Sequence, residues 1–174
     1  MRTTKLKKLN ACEDAIKYVR NQKSPEEAWN NCSRGDWMLW LARRLDVDNR
    51  LLTLAKATCA NQVRSLMTDQ RSLDALDACF RYANGELTRE ELNTFTSAAS
   101  DAADAADYAD YAAYYAAAAA YAASADAAAA AADDAASATA ARKESLKKSA
   151  DICREILTDV VLQKYKKLRY AKNK

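Results

Sequence analysis

The chain has 174 residues, with 27 basic and 24 acidic side chains, a formal charge of +3 and no histidine. That length suits a single domain with its own core, and two glycines with one proline, roughly a seventh of the ordinary share, leave little turn chemistry for strands and hairpins. Without histidine, a glycine-rich phosphate loop or a GxSxG elbow, the usual hardware of metal, nucleotide and serine-type catalysis is missing.

The small net charge hides segregation. Residues 1–95 hold 16 bases and 13 acids, residues 96–141 hold seven aspartates and no base, and residues 142–174 hold 11 bases against four acids. Cys12, Cys32, Cys59, Cys79 and Cys153 are odd in number and form no CxxC pair. With no apolar leader before them, they read as reduced core residues of a cytoplasmic protein. Asp and Ser break the longest apolar run every few residues, so no membrane span is expected.

In chain order, a first helix is predicted over about 10–19, with Cys12, Ala15, Ile16 and Val19 on one side, after a frayed lead of Lys5, Lys7 and Lys8. Ser24-Pro25-Glu26-Glu27 is a helix start with a capping box, and Trp29 and Cys32 face inward from the helix that follows. Gly35 is expected as a left-handed stop, with Asp36 capping a helix that carries Trp37, Met38, Trp40, Leu41 and Leu45. Asp48 caps a fourth helix, and Ser72 a fifth that ends at Asn84-Gly85. Thr88 to Glu91 forms a second capping box, after which no glycine or proline occurs.

Between Ala98 and Ala141, 28 of 44 residues are alanine, so this segment is helical by intrinsic propensity. One alanine stripe runs from Ala102 to Ala127 and suits close approach of a second helix. As one straight rod, Arg89 to Ala141 would reach ~80 Å at 1.5 Å per residue, about twice the size of a compact domain of this length. A hairpin broken near Asp126, Asp133-Asp134 or Ser137, or projection into an oligomer, is therefore expected. The last helix places Leu146, Ala150, Cys153, Ile156, Leu157 and Val160 at core spacing. The expected fold is all-α: a helical bundle with a long alanine-rich helix or helical hairpin. It forms one domain over 1–163 (short helices at 10–85, alanine-rich and C-terminal helices at 88–163), followed by a basic tail at 164–174.

The constellation with functional colour is Arg34, Asp36, Trp37, Trp40, Arg43 and Arg44. Indole faces stack on flat ligands, arginines grip phosphates, and a helix start after Gly35 would offer free amides. The competing structural reading makes the tryptophans core anchors, Asp36 a cap and the arginines solvated. Tyr108, Tyr111 and Tyr115 form a second candidate row, as a ligand wall or partner surface against the plainer role of padding an alanine-rich interface. The acidic middle argues against a nucleic-acid groove along the long helix, and no metal or cofactor is expected.

The stretches ACEDAI, SPEEAWNNCSRGDWMLWLARRLDVDNRLLTLA, NGELTREEL, AADAADYADYAAYYAAAAAYAA and SLKKSADICREIL, spread in order over about residues 10 to 160, carry a family likeness. The chain resembles the alanine-rich immunity proteins, the fifth immunity-type family of bacteria and phages, at Trp29, Cys32, Gly35, Asp36, Trp37 and Trp40 above all. The resemblance implies a small helical protein, not an enzyme, that neutralises a toxin or defence effector by stoichiometric binding. Two alternatives stand beside it: a phage anti-defence sponge for a nucleotide-derived immune signal, and a structural homo-oligomer joined through alanine faces.

Overall fold

Helix starts in this chain follow the capping chemistry of short polar side chains, and the tertiary arrangement follows from which faces those starts present. The computed structural model describes the backbone of residues 3–105 and 132–170, and within it the side chains of residues 3–99 and 142–168. Among the described residues the fold is all-α, with helices α1 Thr4–Lys8, α2 Glu13–Arg20, α3 Pro25–Asn30, α4 Gly35–Arg44, α5 Asn49–Asn61, α6 Gln70–Ala83, α7 Arg89–Ala105 and α8 Ala132–Tyr170. A short 3-10 turn, Arg64–Leu66, joins α5 to α6.

Three of the expected caps are present. The Glu27 amide donates to Ser24 Oγ at 3.0 Å, although the Glu27 carboxylate accepts from the amide of Lys23, one residue before the cap. Asp48 accepts from the amides of Arg50 and Leu51. Thr88 and Glu91 form a reciprocal box, with Thr88 N donating to Glu91 Oε2 at 2.7 Å and Glu91 N to Thr88 Oγ1 at 3.2 Å. Two expectations are corrected. Asp69, not Ser72, caps α6 by accepting from Arg71 N, while Ser72 is buried in the first turn of that helix. The Lys5 to Lys8 lead is helical rather than frayed, because Leu6 buries itself in the core and orders its neighbours.

Helix ends compensate for the scarcity of glycine. Gly85, at φ 86°, ends α6 in the left-handed conformation, with Glu86 N donating to Arg81 O and Gly85 N to Tyr82 O. Asn10 (φ 62°) and Asp46 (φ 52°) take the same role after α1 and α4, where the paired bonds Ala11 N to Leu6 O and Val47 N to Ala42 O recur. Asn and Asp are the non-glycine residues that tolerate this conformation best.

Gly35 is not a stop. It is the first residue of α4, and a Cβ there would fall 2.5 Å from Ser149 Cβ and 2.8 Å from the Ala150 nitrogen of α8. Its lack of a side chain is what lets α4 lie directly on α8.

Packing proceeds from α7 to α6, α5, α8 and α4, with α3 also on α8. The main core joins Trp29, Cys32, Met38, Ala42, Leu45, Val47, Leu52 and Ala55 to Ala150, Cys153, Leu157, Val161 and Tyr165 of α8. Leu146, Ile156 and Val160, expected on that face, lie half-buried at its edge. Smaller clusters hold α6 against α5 through Ala57, Ala60 and Leu76, and against the α7 side through Ala78, Tyr82, Leu87 and Leu92.

α8 runs through Asp133, Asp134 and Ser137, so no helix break falls there, whereas Asp126 lies outside the described residues. It also continues into the segment read as a basic tail. Tyr165 is buried, and Lys164 Nζ donates to the Asp46 carbonyl just past α4.

Candidate functional site

Where α1, α2, α3 and α4 meet the C-terminal half of α8, the side chains do not close completely. They leave an apolar cleft of about 80 Å³ lined by aromatic and aliphatic residues, chief among them Tyr18, Trp29, Trp37, Met38, Trp40 and Tyr165. Trp29 and Met38 are buried and form its floor; Tyr18, Trp37 and Trp40 are half-buried and form its walls. Ala15, one turn before Tyr18 on α2 and also half-buried, lines it too.

The floor is held by bonds that consume its polar atoms. Trp29 Nε1 donates to Thr158 Oγ1 at 2.9 Å across 129 residues of sequence. The Tyr18 hydroxyl donates to the Ala28 carbonyl at 2.9 Å, and burial pushes its pKa up to about 12, so it stays a neutral donor. Arg154 reaches from α8 to the carbonyls of Asn30 and Cys32, at 3.2 and 2.7 Å, and fixes the turn between α3 and α4.

Of the residues singled out from sequence, the structure unites Arg34, Asp36 and Trp37. Arg34 Nε donates to Asp36 Oδ1 at 2.8 Å and a second bond closes the fork. The same guanidinium lies 4.4 Å from the centroid of Trp37, whose ring meets Tyr18 at 5.9 Å. Asp36 therefore serves as a buried partner of Arg34 in the first turn of α4 rather than as its cap. That arrangement also changes the expected anion site: the α4 start abuts α8 and carries its own carboxylate, which an incoming phosphate would meet at close range.

Trp40 faces the cleft with Arg44 at 5.9 Å from its ring, and both Arg43 and Arg44 are exposed on the last turn of α4. Tyr108, Tyr111 and Tyr115, together with most of the alanine stripe, lie outside the described residues. Sequence reasoning missed Leu6, Tyr18 and Tyr165 as cleft residues. The 161, 165 spacing on α8 was the available signal for Tyr165; nothing local marks the other two.

Cys32, Cys59 and Cys153 are buried core thiols and Cys79 is half-buried, whereas Cys12, expected in the core, is exposed just before α2. The hydrogen bond between Cys59 and Cys153 lowers the Cys59 pKa and, with burial, raises that of Cys153, and burial raises those of Cys32 and Cys79. Protonated thiols are poor nucleophiles and poor ligands. Among the described residues no three His, Cys, Asp or Glu side chains come together as a metal site, and no helix is long and apolar enough to cross a membrane. Compared with known proteins, the chain matches no family model, no curated sequence and no solved structure.

Proposed function

We propose that this chain is a non-catalytic binding protein of the immunity type, which neutralises a protein toxin or defence effector by occupying it stoichiometrically. The observation that supports this reading is the preformed aromatic cleft. Its recessed space of about 80 Å³ is below the ~150 Å³ cavity that admits benzene. It would take one aliphatic side chain of a partner, seated against half-buried tryptophans of the kind that dominate interface energetics. The resemblance to the alanine-rich immunity family points the same way.

A nucleotide sponge has less support. It would need a larger and more polar recess, and Arg34, one of the three arginines read as phosphate grips, is already engaged with Asp36.

The test is capture from a bacterial lysate with the full chain and its Ala15→Leu variant in parallel, read by native mass spectrometry. Leucine at position 15 would fill the cleft from the α2 side. A protein bound at one copy per chain, and lost from Ala15→Leu, is the expected result. A chain that retains a nucleotide-sized mass and no protein would overturn this reading in favour of sequestration.

A further inference from the structure

Three of the elements around the cleft, α1, the last turn of α4 and the last turns of α8, are basic, while α2 is balanced and α3 carries Glu26 and Glu27 without a base. α1 has no acidic residue, and its Lys7 and Lys8 are exposed beside Leu6, which lines the cleft. The last turn of α4 exposes Arg43 and Arg44 next to Trp40 and Leu41. The last turns of α8 expose Lys166 and Lys167 beside Tyr165, with no acid from residue 160 to 170. The acids nearest in sequence are Glu13 and Asp14 at the start of α2, Glu26, which Lys166 holds at 3.3 Å, Glu27, whose carboxylate accepts from the Lys23 amide, Asp36 bound to Arg34, Asp46 past α4 and Asp159 of α8.

The apolar surface also continues outward. Leu168, 41% exposed, follows Val161 and Tyr165 at helical spacing on α8, so the face that lines the cleft extends past its edge. A recess for one side chain, an apolar strip leading from it and basic turns on α1, α4 and α8 together describe a groove for a helix.

Resting on the reading that the target is a protein, we propose that the cleft receives an acidic amphipathic helix of that target. One aliphatic side chain enters between Trp37, Trp40 and Ala15, a neighbour rests on Leu168, and flanking carboxylates face Lys7, Arg44 and Lys167. An anionic membrane is the weaker occupant, because membrane-bound surfaces project apolar groups into the lipid, whereas here the tryptophans line a recess.

The probe is a fluorescein-labelled peptide of about 18 residues, five helical turns, with leucines at helical spacing and glutamates elsewhere, followed by anisotropy. Comparators are the same leucines with lysines, and vesicles of phosphatidylglycerol or phosphatidylcholine. The glutamate peptide is expected to bind at least about tenfold more tightly than the lysine peptide, with the difference shrinking as salt shortens the screening length. Ala15→Leu, and separately the surface variant Lys7→Glu/Arg44→Glu/Lys167→Glu, should each weaken it about tenfold or more while circular dichroism stays unchanged.

Equal binding of the two peptides, no binding of the glutamate peptide, or indifference to either variant overturns the proposal. So does uptake by phosphatidylglycerol vesicles without peptide binding. The two readings fail separately. A target captured by the wild type, lost from Ala15→Leu but kept by the charge-reversed variant leaves the function standing and removes this proposal. A peptide that behaves as expected while lysates yield no target supports the groove and counts against the function.

Discussion

The two layers that meet at α5 are held together by different means. On the α8 side, large side chains from residues 29–55 interlock with Cys153, Leu157, Val161 and Tyr165 from far along the chain, and the cleft is a remnant of that long-range fit. On the α6 side, Ala57, Ala60, Ala78 and a few leucines pack over short loops. There Tyr82 sits between two guanidinium groups, with Arg50 at 4.5 Å and Arg89 at 5.9 Å, while Arg50 also donates to the carbonyls of Tyr82 and Leu87. The first layer depends on shape complementarity between distant segments. The second depends on turn chemistry and on polar staples between neighbouring helices, and the candidate site lies in the layer where shape is decisive.

Substitutions should separate the layers. Leu157→Ala, at a fully buried position, should cost about 4 kcal/mol in denaturant unfolding, against about 2 kcal/mol for Leu92→Ala in the smaller cluster. Equal losses would mean that the two layers are not distinct in packing. Gly35→Ala should cost about 3 kcal/mol, because its Cβ meets α8 atoms at 2.5 to 2.8 Å and overpacking a helix contact forces a backbone shift. Gly85→Ala, left-handed but with open space around it, should cost only about 1 kcal/mol. A mild Gly35→Ala would show that α4 can slide on α8, and the cleft should then change shape with it.

Smaller effects probe the second layer. Thr88→Ala removes the α7 cap and should cost about 1 kcal/mol, read as a lower melting temperature. Acid should act there too. The side-chain bond to Arg71 holds Asp69 down to about 2, Arg64 lowers Asp77, and the Thr88 amide lowers Glu91. A carboxylate lowered by folding contributes stability above its unfolded value near 4 and loses it as pH falls through the folded value. Hydrogen exchange at pH 3 against pH 5, corrected for intrinsic rates, should therefore show α6 and the first turn of α7 opening before the buried part of α8. The shift should be small, because these groups lie at the surface. Loss of α8 protection first would reverse the comparison.

The helices were largely legible because their signals are local. Ser24, Asp48, Thr88 and Gly85 act within three or four residues of themselves, and the sequence displays that neighbourhood whole. Asn10 and Asp46 escaped notice because an isolated Asn or Asp is compatible with many conformations, and only the bonds closing behind it identify the left-handed one. The site was half legible. The aromatic and arginine content of residues 34–44 drew attention to the right helix, but suggested phosphate recognition, since composition does not reveal that Arg34 and Asp36 spend their charges on each other.

Composition and spacing alone determined that the described chain would be helical, that Trp29 and Cys32 would be buried, and that α3, α5 and α7 would start where they do. Those outcomes depend on backbone propensity, hydrophobicity and short-range hydrogen bonds. Tertiary structure decided that Gly35 is a contact point and not a turn, that Tyr165 belongs to the core, and that Tyr18, Trp40 and α8 leave a gap one side chain wide. Close packing depends on the volumes of groups more than a hundred residues apart meeting in three dimensions, a quantity that no local pattern encodes.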